Sequence, residues 1–421
     1  MQSSIKLRLT VMNFLQFAVW GAYLTSMGRY LGTAGFGSEI GNFYAMQGLV
    51  SLFMPALMGI VADRWIPAQR LLGVCHTLAG MLMLGVFLYT QTDAPSYPSL
   101  FALYSLSVAF YMPTLALSNS VAYTSLDQAG LDLVKSFPPI RVFGTVGFIC
   151  TMIAVSLLGL EATSGQFAVS AIISLVLAVY AQTLPNCPTA PKGQSKSLVE
   201  ALGLRAFVLF KQRKMALFFI FSMLLGVSLQ ITNGFANPFI STFGEIPAYA
   251  DTFGVKYANI LISLSQLSET LCILLIPFAL RRFGIRRVML IAMVAWVLRF
   301  ALLGLGNPGS GVWLFLLSMI VYGVAFDFFN VSGSLFVDKE TDPSIRSSAQ
   351  GLFMIMTNGI GATLGSLGAQ AVINRFVYSQ SEATAILSGW TTSWYVFAAY
   401  AAVVAVLFAL LFRYNTATEA K

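Results

Sequence analysis

Runs of about twenty apolar residues recur along this 421-residue chain, and the short stretches between them hold nearly all of its charges. A helix needs roughly 20 residues to cross the hydrocarbon layer of a membrane, so each run is long enough to span it. With 57% hydrophobic and only 10% charged residues, the chain is too apolar to bury its surface in one water-soluble core. Membrane-spanning β-strands would give shorter, alternating segments. We therefore predict an all-α integral membrane protein.

The apolar runs predict twelve transmembrane helices. The first run follows Lys6 and Arg8 but is too long for the apolar part of a signal peptide and has no small-residue cleavage site, so we expect it to remain as a helix. The expected spans are 9–31, 42–62, 71–91, 98–122, 139–160, 165–184, 213–238, 256–280, 286–305, 311–335, 347–373 and 388–412.

A polar interval at residues 185–212, rich in proline and lysine, separates six predicted helices from six more. We therefore predict an N-terminal six-helix bundle over 1–184, a cytoplasmic linker over 185–212 and a C-terminal six-helix bundle over 213–421. The tripeptide Val-Ala-Phe occurs at 108–110 and again at 324–326, in the fourth and tenth predicted helices. This short sequence repeat favours two pseudo-symmetric bundles.

Basic residues concentrate on one side of the predicted helices, which places both termini in the cytoplasm. The net charge of +8 thus reflects membrane topology and not nucleic-acid binding. Only Arg29, Lys256 and Arg375 fall on the opposite side. The cytoplasmic set is Lys6, Arg8, Arg64, Arg70, Lys135, Lys192, Lys196, Arg205, Lys211, Arg213, Lys214, Arg281, Arg282, Arg286, Arg287, Lys339, Arg346, Arg413 and Lys421.

The chain lacks the residue patterns of a soluble catalytic domain. Its four cysteines have no metal-ligand spacing, so we predict no disulfide, metal or cofactor. The single histidine, His76, is expected near the cytoplasmic start of the third helix, in a structural role. No phosphate-binding loop is found, so energy for uphill movement must come from an ion gradient.

Two carboxylates lie inside predicted helices, Glu269 in 256–280 and Asp327 in 311–335. An ionised side chain at mid-membrane costs about 3 kcal/mol, so each needs a partner, water or a function. A protonated acid that bonds two helices is the structural alternative for Glu269. Asp327 lies one residue round from the Tyr322 face of its helix, so it faces either a cavity or a neighbouring helix.

Polar and aromatic residues form stripes on five predicted helices, as a cavity at the membrane midplane requires. A positive-inside residue at the helix end, after Pro139, is the alternative for Arg141, and interhelical bonding is the alternative for the amides. The stripes are Gln16, Trp20 and Tyr23; Arg141, Thr145 and Phe148; Gln230, Asn233 and Asn237; Gln266 and Glu269; and Tyr322, Phe326 and Asn330.

The loop Gly59-Ile-Val-Ala-Asp63-Arg64 resembles the loop signature of the major facilitator superfamily, and Arg281-Arg282-Phe283-Gly284 resembles its second copy. Both depart from the full pattern: Pro67 stands where glycine is usual, and Arg281 where aspartate is usual. Capping of a cytoplasmic helix end is the simpler explanation of such charges. The resemblance implies a major facilitator fold.

Nearly end to end, the sequence is similar to the nucleoside/proton symporter family of that superfamily. The resemblance rests on segments including FLQFAVWGAYLTSMG, FPPIRVFGTVGF, LQITNGF, SLSQLSETL, AWVLRFAL and SMIVYGVAFDFFNVSGS. It implies that the substrate is held between the halves by Arg141, Thr145, Phe148, Gln230, Asn233, Gln266, Glu269, Tyr322 and Phe326, with Asp327 or Glu269 carrying the proton.

The implied function is import of nucleosides by proton symport with alternating access, in a bacterial inner membrane and as a functional monomer. A galactoside/proton symporter is the nearest alternative, because Arg141 to Phe148 resembles a run in that branch. A membrane-embedded enzyme is the alternative from another class. Sodium is the alternative coupling ion, although the sequence shows no obviously broken helix. Preference for purine or pyrimidine nucleosides stays open.

Overall fold

The computed structural model describes residues 2–189, 204–343 and 345–414, and these residues form helices and connecting turns with no β-strand among them. In the first half of the sequence the α-helices are α1 Gln2–Gly21, α2 Met27–Thr33, α3 Ile40–Ser51, α4 Met54–Arg64, α5 Ala68–Tyr89, α6 Tyr97–Gln128, α7 Leu133–Leu157 and α8 Gly165–Ala181. In the second half they are α9 Arg213–Thr242, α10 Phe253–Lys256, α11 Ala258–Cys272, α12 Ile276–Leu305, α13 Val312–Glu340, α14 Arg346–Met354, α15 Ala362–Phe376 and α16 Ala383–Leu411.

Hydropathy located the membrane-spanning material well, because every predicted span coincides with helix. Nine stretches of the described residues are long and apolar enough to cross a membrane. There are three differences from the predicted spans: Gly165–Ala181 is a shorter helix, Ala258–Leu305 is one stretch that covers two predicted spans, and the first predicted span, 9–31, is not among the nine. The number twelve and the two six-helix bundles stay predictions.

Several predicted spans are not the unbroken helices that we expected. Turns at residues 22–26 interrupt the first span, and residues 52–53 separate α3 from α4. The continuous segment from 276 to 305 turns at Gly284, where φ is 75°, a conformation that glycine adopts without strain. A π-helix, Ile355–Gly361, joins α14 to α15. Hydropathy reports burial in lipid and not backbone hydrogen bonding, so these breaks escape it.

The described residues fall into two compact units. The first contains Met1–Tyr30 and Leu49–Leu202, and the second contains Leu31–Gly48 and Gly203–Lys421. Half of the predicted linker, residues 190–203, lies outside the described residues, as does the tail from 415; the rest of the linker includes a 3-10 helix, Leu204–Lys211. The bundle boundaries at 184 and 213 stay predictions.

Glycines allow close helix packing inside each unit. In the first unit, a Cβ on Gly147 of α7 would overlap the backbone of Phe14 in α1, and one on Gly21 would overlap Phe148. In the second unit, Gly365 of α15 approaches the backbone of Val227 in α9 equally closely. Small residues drive helix association in membranes because backbones can approach directly.

Candidate functional site

Helix α13 carries a stacked aromatic pair beside a buried acid. Tyr322 and Phe326 lie one turn apart, with ring centroids 5.6 Å apart and 13° between the ring planes. Tyr322 is 5% exposed, whereas Phe326 is half-buried. Asp327 is 5% exposed, and its Oδ2 atom has no hydrogen-bond partner among the described residues. A buried carboxylate oxygen with an unfilled acceptor is suited to receiving a proton.

Helix α11 places the second acid close to this pair. Glu269 is half-buried and interacts electrostatically with Asp327 and with Tyr322. The two acids are thus near neighbours, and whether Asp327 faces a cavity or a helix stays open. Glu269 falls within the predicted span 256–280, where α11 ends at Cys272 and a short 3-10 turn follows. It lies in the last turn of α11.

Serines join α11 to α13, and Gln266 and Glu269 take no part in these bonds. The Ser268 hydroxyl donates to the backbone oxygen of Ile320, and the Ser265 hydroxyl contacts the Met319 sulfur at 3.0 Å. Both serines are buried, whereas Gln266 and Glu269 are only half-buried. Position i and position i+3 of one helix share a face, so this amide and this acid point the same way.

An arginine that the stripes did not include, Arg299 of α12, lies against the aromatic pair. It is 2% exposed, and its guanidinium carbon is 4.5 Å from the centroid of the Tyr322 ring. Trp296, one turn earlier, meets the same ring edge-on at 5.9 Å. A buried cation in an apolar helix is the sequence signal for this residue, which lies within the segment AWVLRFAL but outside the predicted stripes.

The amides of α9 divide into two roles. The Asn233 side chain donates to Gln230 Oε1 at 2.7 Å, and Asn233 is half-buried. The Asn237 amide instead donates to Asn259 of α11 at 2.9 Å, with both residues fully buried. Asn237 thus bonds two helices, whereas Gln230 and Asn233 form a small polar pair.

In the first unit, α7 presents the predicted stripe against α1. The Arg141 guanidinium carbon lies 4.0 Å from the centre of the Phe17 ring, and Phe148 meets Trp20 edge-on at 6.4 Å. Thr145, between them, is half-buried. Helix α7 begins at Leu133, so Pro139 is not its first-turn proline and Arg141 is not at its end. The first-turn role predicted for Pro139 is therefore wrong, whereas the positive-inside explanation of Arg141 stays open.

His76 is not near a helix end either. It is fully buried in α5, bonded through one ring nitrogen to Ser174 at 2.9 Å and through the other to Gln16 at 2.8 Å. The Gln16 amide donates in turn to Thr114 at 2.7 Å. These bonds connect four helices, so Gln16 serves helix packing. The prediction that His76 lies near the cytoplasmic end of its helix is wrong.

The second unit also holds a cavity about the size of a water molecule beside Phe326. Its wall includes Asn330, Trp296, Gly226 and Thr357 of the π-helix. Within this unit the structure therefore brings together Tyr322, Phe326, Asp327 and Glu269, with Arg299 behind them. Arg141, Thr145 and Phe148 form a separate group in the first unit.

Comparisons with known proteins agree with this chemistry. The family described as "Nucleoside H+ symporter" matches residues 3–417. The xanthosine permease of Escherichia coli K12 is 49% identical over 98% of this chain and 97% of its own, and the nucleoside permease NupG of the same strain is 47% identical over the same shares. A crystal structure of a NupG variant superimposes with a TM-score of 0.91 at 45% identity, covering 97% of this chain and 100% of that one.

Proposed function

This chain belongs to the nucleoside H+ symporter family, and we propose that Asp327 and Glu269 couple its nucleoside uptake to protons. It is a secondary transporter of nucleosides and not an enzyme. The observation that carries the residue assignment is the group in the second unit: two interacting carboxyls beside a stacked aromatic pair, all in membrane-spanning helices.

Phe326, Glu269 and the amides of the second unit suit the two ends of a nucleoside. A base has a π face that stacks on an aromatic ring, and Phe326 is the accessible ring of the pair. Ribose hydroxyls both donate and accept hydrogen bonds, so they match the carboxylate of Glu269 and the amides of Gln266 and Asn233. Gln230 holds the Asn233 amide and offers its own amide nitrogen to a base carbonyl.

The first unit contributes binding groups of the same kinds. Arg141 supplies a cation for base carbonyl oxygens, Thr145 a hydroxyl and Phe148 an aromatic ring. Their support from α1, through Phe17 and Trp20, fixes the arginine and the ring before substrate arrives. Pre-ordered side chains lose less entropy on binding, which favours these three residues as nucleoside ligands.

Proton coupling follows if the nucleoside binds best to the protonated site. Two neighbouring carboxylates repel each other when both are ionised, so one bound proton makes the group compatible with a neutral ligand in a dry site. Release of the proton restores the repulsion and weakens binding. We assign the proton to Asp327, which is the more buried acid, and nucleoside contact to Glu269.

The remaining assignments follow from charge and family. The basic residues along the predicted cytoplasmic side support an inner-membrane protein with both termini in the cytoplasm. One chain contains all of the proposed binding groups, so we propose a functional monomer.

Uptake into proteoliposomes tests this function. Radiolabelled uridine, adenosine and xanthosine are offered with and without an inward proton gradient, while sodium is varied independently; protein-free liposomes are the control. We expect accumulation that follows the proton gradient and ignores sodium. No uptake of any nucleoside would refute the proposal and make a galactoside panel the next test, whereas dependence on sodium alone would refute proton coupling.

A further inference from the structure

Arg299 is a cation in the membrane-spanning part of the chain without a carboxylate partner among the described residues. Its hydrogen bonds go to the backbone oxygen of Ser318 at 2.8 Å and, at 3.4 Å, to the Ser265 hydroxyl. Its Nε atom has no partner in the described part of the chain. Burial of a charge in this way is costly, so a residue that serves packing alone would be better apolar.

What the guanidinium does contact is the face of Tyr322, at 4.5 Å. A desolvated cation over an aromatic ring is attracted to the π face of the ring more strongly than an exposed cation is. Trp296 closes on the same ring from another direction, edge-on at 88°. The Tyr322 ring is therefore held on one side by a cation and on another by an indole. Because Tyr322 stacks on Phe326, the position of the Phe326 ring is restricted as well.

The backbone around Arg299 is held as firmly as its side chain. The Ser318 hydroxyl donates to the backbone oxygen of Arg299 at 3.0 Å, while Arg299 donates to the backbone oxygen of Ser318. This reciprocal pair sets the register of α12 against α13. A one-turn spacing from Ser318 to Tyr322 then places the ring under the guanidinium.

We propose that Arg299 is a positioning residue for nucleoside binding, which fixes Tyr322 and through it the ring of Phe326 on which the base stacks. It acts through Tyr322 and does not touch the substrate. This inference rests on the proposed function, because it takes Phe326 as a nucleoside contact. Loss of the Arg299 guanidinium would loosen the aromatic pair and so weaken nucleoside binding more than it slows turnover.

The test compares KM and the maximal uptake rate of adenosine in proteoliposomes for the wild type, Arg299→Gln and Arg299→Lys. We expect Arg299→Gln to raise KM about tenfold with less than about a twofold loss of maximal rate, because a cation over the ring is removed. Arg299→Lys keeps a cation and should recover KM to within about threefold of wild type.

Arg286 on the same helix is the matched control. It donates to the backbone oxygens of Phe412 and Ala409 and contacts no residue of the aromatic pair. Arg286→Gln should lower the thermal midpoint in detergent without changing KM. Equal KM values in Arg299→Gln and wild type, or equal KM increases in Arg299→Gln and Arg286→Gln, would overturn the inference.

Two further results keep the outcome clear. If Arg299→Gln does not reach the membrane, an unchanged KM in Tyr322→Leu would overturn the inference, because the ring it is said to position would then not matter. An increase in the KM of Tyr322→Leu, with Arg299→Lys intermediate, would support it. Failure of wild-type uptake would instead reject the proposed function itself, so the two failures are distinguishable.

Discussion

At the scale of single residues, Asp327 and Glu269 show how carboxyls inside a membrane protein can couple substrate transport to protons. An ionised carboxylate there requires a partner or water, and Oδ2 of Asp327 is buried with no hydrogen-bond partner among the described residues. Glu269 adds the field of a second acid. A proton on either carboxyl would remove the repulsion between two ionised acids, whichever oxygen carries it.

Replacing each acid by its amide should distinguish the roles of the two acids. Asp327→Asn removes the proton-binding group, so we expect loss of gradient-driven accumulation with retention of nucleoside exchange. Glu269→Gln removes a charged ribose contact, so we expect KM to rise by about 10- to 150-fold, since a hydrogen bond to a charged group contributes roughly 1.5–3 kcal/mol. Counterflow and gradient-driven uptake measured side by side distinguish them. Retention of uphill uptake in Asp327→Asn would reject its assignment.

Sequence spacing found much of the candidate site, but not the residues behind it. The stripe Tyr322 to Phe326 follows from the helical repeat alone, and its rings do stack. Arg299 is 23 positions from Tyr322 in sequence, and only the packing of α12 on α13 brings them together. The same reasoning explains His76: a periodic pattern shows which face a residue occupies, whereas its partners on α1 and α8 depend on tertiary structure.

At the scale of helices, hydropathy predicted where the chain is helical because each element must satisfy its own backbone in lipid. It did not predict the turns at 22–26 or the π-helix at Ile355–Gly361, which depend on local hydrogen bonding. The π-helix lies against α9, where the Cα of Thr357 would be 2.8 Å from a Cβ on Gly226. An irregular turn is tolerated at this point because a glycine lets the partner helix come close.

The packing of α15 on α9 gives a matched pair of glycine substitutions. Gly365→Ala places a Cβ 2.7 Å from the carbonyl carbon of Val227, whereas Gly368→Ala, one turn on, meets nothing within 4 Å. We expect the first to destabilise the protein by about 1–3 kcal/mol through overpacking. The second should be neutral or slightly stabilising, because alanine favours helix over glycine. Thermal midpoints in detergent measure both, and equal midpoints would show that the interface yields.

At the scale of the whole molecule, residues 31–48 group in space differently from their position in the sequence. They precede α4 in the chain, yet they pack within the second unit. The Gly41 amide donates to Gln370 Oε1 at 2.5 Å, and the Asn374 side chain donates to the backbone oxygen of Ser38 at 3.3 Å. A transporter that alternates access must part helices from the two halves of its sequence on one side at a time. The contact between Ser38 and Asn374 joins residues from the two halves of the sequence.

Joining Ser38 to Asn374 covalently should therefore stop transport. With the exposed Cys150 first replaced by serine, Ser38→Cys/Asn374→Cys treated with a short bifunctional methanethiosulfonate should lose uptake by at least about tenfold and regain it on reduction, because the halves can no longer part there. Ser96→Cys/Ser99→Cys is the control pair: its hydroxyls are 3.2 Å apart at the start of one helix, so the same link should leave uptake unchanged. Full uptake by completely linked Ser38–Asn374 protein would show that this contact persists throughout the cycle and that access alternates by movement elsewhere.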